Sequence, residues 1–325
     1  MPDIVCFGEA LIDFHAEAPL EPGAPVHFVQ YAGGAPANVA VAVAKLGGPA
    51  AYVGMLGRDL FADFLLQSFD EAGVETRYIA RTDEANTGLA FVSLDDDGER
   101  RFSFYRPPAA DLLFRPTHFR GDCFNAAKIF HACSNSLTEA AIAETTLEGM
   151  RRARAAGALV SFDLNLRPAL WPAAVDPRPR IAAALAEADV VKLCGAELAF
   201  LAKSAGSEAA VLDELWRGRA ELVLITDGAA PIRYFTRNGN GETPTIAIQA
   251  INTNAAGDAF IGGFLYCLEK RNIDRAALPS FAAGGELETM LRFAAACGAF
   301  AVTRHGAFTA MPTLDQVQSL LEAHA

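Results

Sequence analysis

The sequence predicts an α/β protein built on a mostly parallel sheet, and three observations carry that expectation. Short apolar runs alternate with helix-length patterns from Ala35 onward, the order that covers a parallel sheet with helices. Two of the helix patterns stop at glycine, Gly73 and Gly157, where a residue without Cβ can make the left-handed turn that ends a helix. The chain has 325 residues, 52% hydrophobic and 20% charged, with no Pro/Gly/Ser-rich linker. That is enough to bury one large core, so residues 1–325 are expected to form a single domain.

Element by element, Met1-Pro2-Asp3-Ile4-Val5-Cys6-Phe7 runs straight into a strand with no basic leader. A helix is expected from Ala35 to Leu46, a strand from Ala51 to Met55 and a helix from Asp59 to Ala72. Further on come strand Ile129 to His131, helix Glu139 to Ala156, and strands Leu159 to Asp163, Val190 to Leu193 and Leu222 to Thr226. Helices Ala256 to Lys270 and Glu286 to Val302 complete the pattern.

Two segments, about 14–31 and 87–106, break the rhythm. Leu94-Asp95-Asp96-Asp97-Gly98-Glu99 reads as a turn between two strands, and Arg101-Phe102-Ser103-Phe104-Tyr105 alternates like an antiparallel strand with one wet face. They are too small to fold alone and form either an edge hairpin or a β lid over a cleft at the sheet's carboxyl end. A lid would keep water from a phosphate donor. Phe102 and Phe104, apolar on one face, suggest a homodimer paired through that lid.

The formal charge of −12 excludes nucleic acid and anionic membrane as natural partners, since both favour clustered Lys and Arg. An anionic small substrate remains open where Arg106, Arg167 and Lys192 converge. Six scattered cysteines form no C-x-x-C pair and have no histidine at ligand spacing, which predicts buried thiols in a reducing compartment. With no apolar run of membrane-spanning length, a cytoplasmic protein is expected. The histidines do not cluster, so a metal would arrive with a substrate phosphate. Neither G-x-G-x-x-G after the first strand nor G-x-x-x-x-G-K-[ST] is present, which sets aside Rossmann dehydrogenases and P-loop kinases.

The most informative stretch is Asn252-Thr253-Asn254-Ala255-Ala256-Gly257-Asp258-Ala259-Phe260. Its small residues open the amides of a helix start to an anion, with the helix dipole adding its pull. Asp258, in the first turn, either accepts the proton of an attacking hydroxyl as general base or merely offsets the dipole. Gly33-Gly34-Ala35-Pro36-Ala37-Asn38 allows close backbone approach to a ligand, and Asn38 points back to the same opening. Asp13, after the first strand, is either a carboxylate for a pair of sugar hydroxyls or a turn former. Asp163, Asn165 and Arg167 end a strand where open α/β sheets contact ligands, with Arg167 either on a phosphate or in a surface ion pair. Glu197 is either a magnesium ligand through water or an exposed helix-start acid.

Taken together, these segments resemble the ribokinase-like (PfkB-type) carbohydrate kinases along nearly the whole chain. Gly33 to Asn38 with Gly54, Gly57 and Asp59 looks like the family's N-terminal signature, and Asn254 to Phe260 like its C-terminal one. Gly8 to Asp13, Phe104-Tyr105-Arg106 with Ala110-Asp111, and Phe130-His131 with Ser134-Asn135-Ser136-Leu137 are most similar to bacterial fructokinases, as are Phe162 to Arg167 with Leu170-Trp171. The resemblance implies a three-layer sandwich with a small β lid and an ATP- and Mg2+-dependent transfer to a sugar hydroxyl, fructose first. Asp258 would be the base and the amides of Ala255, Ala256 and Gly257 the anion hole, with Arg167 beside them. Asp13, Gly33, Gly34, Asn38, Phe104, Arg106 and Asn165 would meet the sugar, and Lys192, Thr226, Gly228 and Cys297 the nucleotide. Glu197 would order magnesium. Three positions depart from the family: Asn252 replaces an Asp in a loop that can bind a monovalent cation such as K+, Ala255 replaces a Gly, and Cys194 replaces an Asn. Another sugar or sugar acid such as 2-keto-3-deoxygluconate, ribose or a nucleoside is an alternative substrate, and a non-catalytic sugar- or nucleotide-binding relative is an alternative class.

Overall fold

A computed structural model describes residues 2–17, 25–94, 100–282 and 284–324. Its strands are β1 (Ile4–Phe7), β2 (Leu11–Ala16), β3 (Phe28–Gly33), β4 (Ala50–Gly57), β5 (Ile79–Thr82), β6 (Gly88–Leu94) and β7 (Arg100–Tyr105). They continue as β8 (Ile129–Cys133), β9 (Leu159–Asp163), β10 (Val190–Cys194), β11 (Leu222–Thr226), β12 (Ile232–Thr236) and β13 (Gly239–Thr243). The helices are α1 (Ala35–Lys45), α2 (Leu60–Ala72), α3 (Asp122–Asn125), α4 (Ala140–Ala155), α5 (Arg178–Leu185) and α6 (Gly195–Ala205). After them come α7 (Glu208–Arg217), α8 (Ala256–Lys270), α9 (Leu278–Ala282), α10 (Glu286–Ala301) and α11 (Leu314–Ala323).

One sheet runs β13-β12-β11-β10-β9-β8-β1-β4-β5, parallel except for the antiparallel β11–β12–β13 edge. Alternation along β1 shows why it needs cover on both sides: Ile4 and Cys6 enter the core with α1, α8 and α10, while Val5 and Phe7 enter the other. In that second core Phe7 packs on Phe114, Phe119 and Phe130. The chain steps from β1 to β4 on one side and later to β8 on the other, and a crevice opens at such a reversal, outside the strands' carboxyl ends.

The expected lid segments form a second sheet, β3-β2-β6-β7. Its strands reach further than the pattern suggested, β2 starting at Leu11 and β3 ending at Gly33, because both feed directly from the crevice. The expected turn at 95–99 lies outside the described residues. Asp59 ties the two sheets together: it caps α2 through Ala62 N–H at 2.8 Å and accepts from Thr87 N–H at 2.7 Å, at the root of β6.

Period and turn chemistry located the other elements well. α2 ends at Gly73 in the left-handed region, while β9 and β11 match their expected limits. Helices α5 to α7 and the β12–β13 hairpin were not foreseen. Their signals were present but overlooked: Ser207 caps α7 through Ala210 N–H, Gly206 ends α6 in the left-handed region, and Asn238-Gly239 sits at the β12–β13 turn.

Candidate active site

The loops after β1, β8, β9, β10 and β11 and the starts of α1 and α8 enclose a cleft of about 630 Å³ beneath the small sheet. Asp13, Gly34, Asn38, Phe104, Asn165, Arg167, Lys192, Glu197, Thr226, Gly228, Ala255, Gly257 and Asp258 all line it. Ala256 lines an adjoining, more apolar slot of about 390 Å³ that shares Thr226, Gly228 and Gly257 with the cleft.

At the α8 end, Ala255 occupies the N-cap with φ 58° and offers no side-chain cap. Only backbone Ala259 N–H returns to Ala255 O, at 2.8 Å. Within the described residues the amides of Ala256, Gly257 and Asp258 meet no acceptor, the arrangement an anion completes. Asp258 is buried and accepts from Asn38 Nδ2 at 2.7 Å. Burial raises its pKa, while the Asn38 hydrogen bond and the charges of Lys192 and Arg167 hold the rise back. A carboxylate with raised proton affinity is what proton abstraction from a hydroxyl requires.

At the α1 end the backbone approaches closely. A Cβ on Gly33 would lie 2.2 Å from Asp13 Oδ2, and one on Gly34, whose φ is 108°, would lie 2.5 Å from Glu9 O. Gly33 does not itself line the cleft; it makes room for Asp13. The Asp13 carboxyl is pushed up to about 7 by burial and by the neighbouring Asp258 charge, with Arg167 opposing. Asn38 Oδ1 is buried without a partner among the described residues, an acceptor ready for a hydroxyl. Asn165 sits at φ 37° and its N–H donates to Asp163 Oδ1 at 3.2 Å, an Asx turn that bends the chain after β9 toward the cleft.

Two expectations change, at Arg106 and at Cys297. Arg106 does not line the cleft: its guanidinium is buried, donating to Asp111 Oδ2 (2.9 Å from Nε) and to Asn135 O (2.7 Å). A buried Arg needs a carboxylate, and Asp111, five residues on, supplies it. Cys297 is fully buried and points at α8, where a Cβ on Gly263 would lie 2.6 Å from its Sγ. The slot is walled instead by Ala295, Gly298, Ala299 and Val302 of the same helix and its end, a stripe that helix geometry turns roughly 100° to 160° away from Cys297. Phe104 lines the cleft as a candidate sugar contact, and the side chain of Phe102 lies outside the described residues. Asn252 lines neither cavity; its Oδ1 accepts from Asn254 N–H at 2.9 Å, and its buried Nδ2 has no acceptor among the described residues.

Glu197 fits magnesium held through water. Its two oxygens accept from Leu166 N–H and Cys194 N–H, each at 2.7 Å, and each keeps a lone pair for a hydrated ion.

Glu9 was not singled out from the sequence, yet it lines the cleft. It is buried and accepts from Ala35 N–H at 3.1 Å and Asn135 Nδ2 at 2.9 Å. Burial raises its pKa, with Arg106 opposing. The signal was its place one residue after Gly8 at the end of the first strand.

A buried base facing an open helix start, with hydroxyl-binding groups on one side and an apolar slot on the other, defines a phosphotransferase acting on alcohols. The family comparison makes this specific: the pfkB family carbohydrate kinase model matches residues 1–314, and the chain belongs to that family. "Probable fructokinase-4" of Arabidopsis thaliana is 40% identical over 325 residues, spanning 99% of this chain and 97% of the relative. The fructokinase of Xylella fastidiosa with bound ATP is 56% identical, with a TM-score of 0.95 over 100% of this chain and 99% of its own. The fructokinase of Vibrio cholerae O395, in a fructose, ADP and calcium ion bound form, is 29% identical, with a TM-score of 0.85 and 99% of each chain covered.

Proposed function

We propose that this protein transfers the γ-phosphoryl group of ATP to D-fructose, giving fructose 6-phosphate, with the whole chain acting as one kinase domain and the small sheet as its lid. The observation that carries this reading is the buried Asp258 beside the open amides of α8. In the proposed step the sugar hydroxyl loses its proton to Asp258 while its oxygen bonds to the γ-phosphorus. The bond from that phosphorus to the bridging oxygen breaks, and its electron pair leaves on ADP. The amides of Ala256 and Gly257 hold the charge on the transferring oxygens.

The adenine takes the slot, where Ala295, Gly298 and Ala299 present a flat apolar wall and Thr226 and Gly228 form the floor toward the phosphates. Magnesium bound through water to Glu197 supplies charge neutralisation to the phosphates. Asp13, Asn38 and Asn165 receive the sugar. The end of the cleft around Asp13, Glu9 and Asp258 suits a neutral sugar better than a sugar acid, with Arg106 sealed behind Asp111 and the cations Arg167 and Lys192 left to the phosphates.

A panel of sugars with ADP release as the readout tests the reading. The highest kcat/KM is expected for D-fructose. Equal or better turnover of ribose, a nucleoside or 2-keto-3-deoxygluconate would overturn the choice of sugar, and sugar binding without ADP release would favour a non-catalytic relative.

Cytoplasmic residence is supported by six free cysteines, five of them buried. A homodimer through the lid is supported by Phe28 and Tyr105, 43% and 68% exposed, which both pack on Phe91. Light scattering that gives the monomer mass at working concentration would remove it.

A further inference from the structure

We infer that the cavity at the amino ends of β9, β10 and β11 is a second anion site, which takes the phosphoryl dianion of a small molecule on three arginines. It lies at the opposite end of the sheet from the cleft and stands independently of the kinase reading.

The cavity measures about 570 Å³, within the size range of small-molecule sites. Arg219 from the turn between α7 and β11, Arg237 from the β12–β13 turn and Arg275 from the loop before α9 all line it. Three separate segments thus bring guanidinium groups to one opening. Strands of five residues each run from this cavity to the cleft, roughly 16 Å of extended chain, so both cavities can be filled at once.

What each charge already touches decides the sign of the ligand. Asp189 is buried in the floor, where its Oδ2 accepts from Val160 N–H at 2.8 Å and its Oδ1 stands 3.5 Å from Arg275 Nε. Burial raises its pKa against the Val160 hydrogen bond and the charges of Arg154, Arg275 and Arg219, so guanidinium groups converge on this floor. Asp274 Oδ1 accepts from Ala276 N–H and Ala277 N–H, at 2.9 and 2.8 Å, and Glu221 Oε2 accepts from Arg237 Nε at 3.0 Å. Behind the rim, the single carboxylate of Glu187 serves Arg151, Arg154 and Arg219. The carboxylates are engaged, but the arginines keep open donors. Arg219 and Arg275 meet their carboxylates through Nε at 3.5 Å, and among the described residues nothing accepts a hydrogen bond from their terminal nitrogens or from Arg237 Nη2. Of the groups just named, five are arginines and four are carboxylates, a positive balance in a chain of formal charge −12. A phosphoryl group brings two charges and three acceptor oxygens to these open forks, and the remaining volume accommodates the organic part of an ester.

Calorimetric titration and thermal melts test the site with two probes, inorganic phosphate and fructose 1,6-bisphosphate, in the presence of a non-transferable ATP analogue that occupies the cleft. Wild type should bind at least one probe with unit stoichiometry and melt at a higher temperature with it. The tighter probe tells whether free phosphate or a phosphate ester is the occupant. Arg219→Gln/Arg275→Gln should weaken that binding by about tenfold or more. Ala276→Glu sets a carboxylate on the cavity wall without touching any of the ion pairs; the same loss is expected from it, and it carries the test alone if the arginine variant does not fold. Binding that survives either substitution in a folded variant overturns the proposal, because the probe then sits elsewhere. So does the absence of both heat and a melting shift in wild type with either probe at roughly 10 mM.

Discussion

Helices α1 and α8 both begin at the cleft, both without a side-chain cap, and both from a residue with positive φ: Gly34 at 108° and Ala255 at 58°. Their difference lies in who completes the first turn. At α1 the protein supplies its own anion, Glu9, whose carboxylate takes Ala35 N–H. At α8 no described residue does, and the amides stay open to a phosphate. Asn38, in the first turns of α1, then reaches across to Asp258 of α8, so the closed start holds the base of the open one. One helix start is spent on structure and the other kept for substrate.

The largest break in this comparison is expected at the open start. Asp258→Asn should lower kcat on the order of 10³-fold, with the sugar Kd by calorimetry nearly kept; undiminished turnover would remove Asp258 as the base. At the closed start, Glu9→Ala strips α1 of its built-in anion and leaves Ala35 N–H and the Asn135 amide without an acceptor. A loss of about 2 kcal/mol in denaturant unfolding is expected, together with a raised KM for the sugar; a stability equal to wild type would mean Glu9 does not serve the helix.

The link between the helices should show as a pH effect. Transfer needs Asp258 ionised, so kcat/KM falls as pH drops through its raised pKa. The Asn38 amide opposes that rise, and Asn38→Ala should therefore shift the acid limb to higher pH. A limb that stays put, measured across the profile with fructose, would separate the two helices energetically. The smallest effect belongs to the cap itself. Ala255→Gly removes a Cβ from a left-handed position and should stabilise the protein by about 0.5–1 kcal/mol with kcat little changed; destabilisation in thermal melts would show that the positive φ is not strained.

Much of this site was legible because its chemistry is local. Small residues before a helix, an acid in its first turn and two glycines before another helix are patterns of adjacent residues, and the structure places Ala255, Gly257, Asp258, Gly34 and Asn38 where those patterns suggested. Residues whose role depends on a partner far along the chain were misread or missed. Arg106 looked like a ligand contact, and only the fold buries it against Asp111 and Asn135 O. Glu9 was not singled out, because its role depends on Ala35 and Asn135, which only the fold brings to it. Cys297 was placed on the right helix but the wrong face, because the face depends on where α8 packs.

By itself, then, the sequence determined the α/β class, the parallel strand order's raw material and the two helix starts, since periodicity and turn chemistry act over a few residues. The tertiary structure decided which charges face the cleft. Burial, pairing and the proton affinities of Asp13, Lys192 and Asp258 are set by neighbours up to hundreds of positions away, and the field at a site is the sum over all of them.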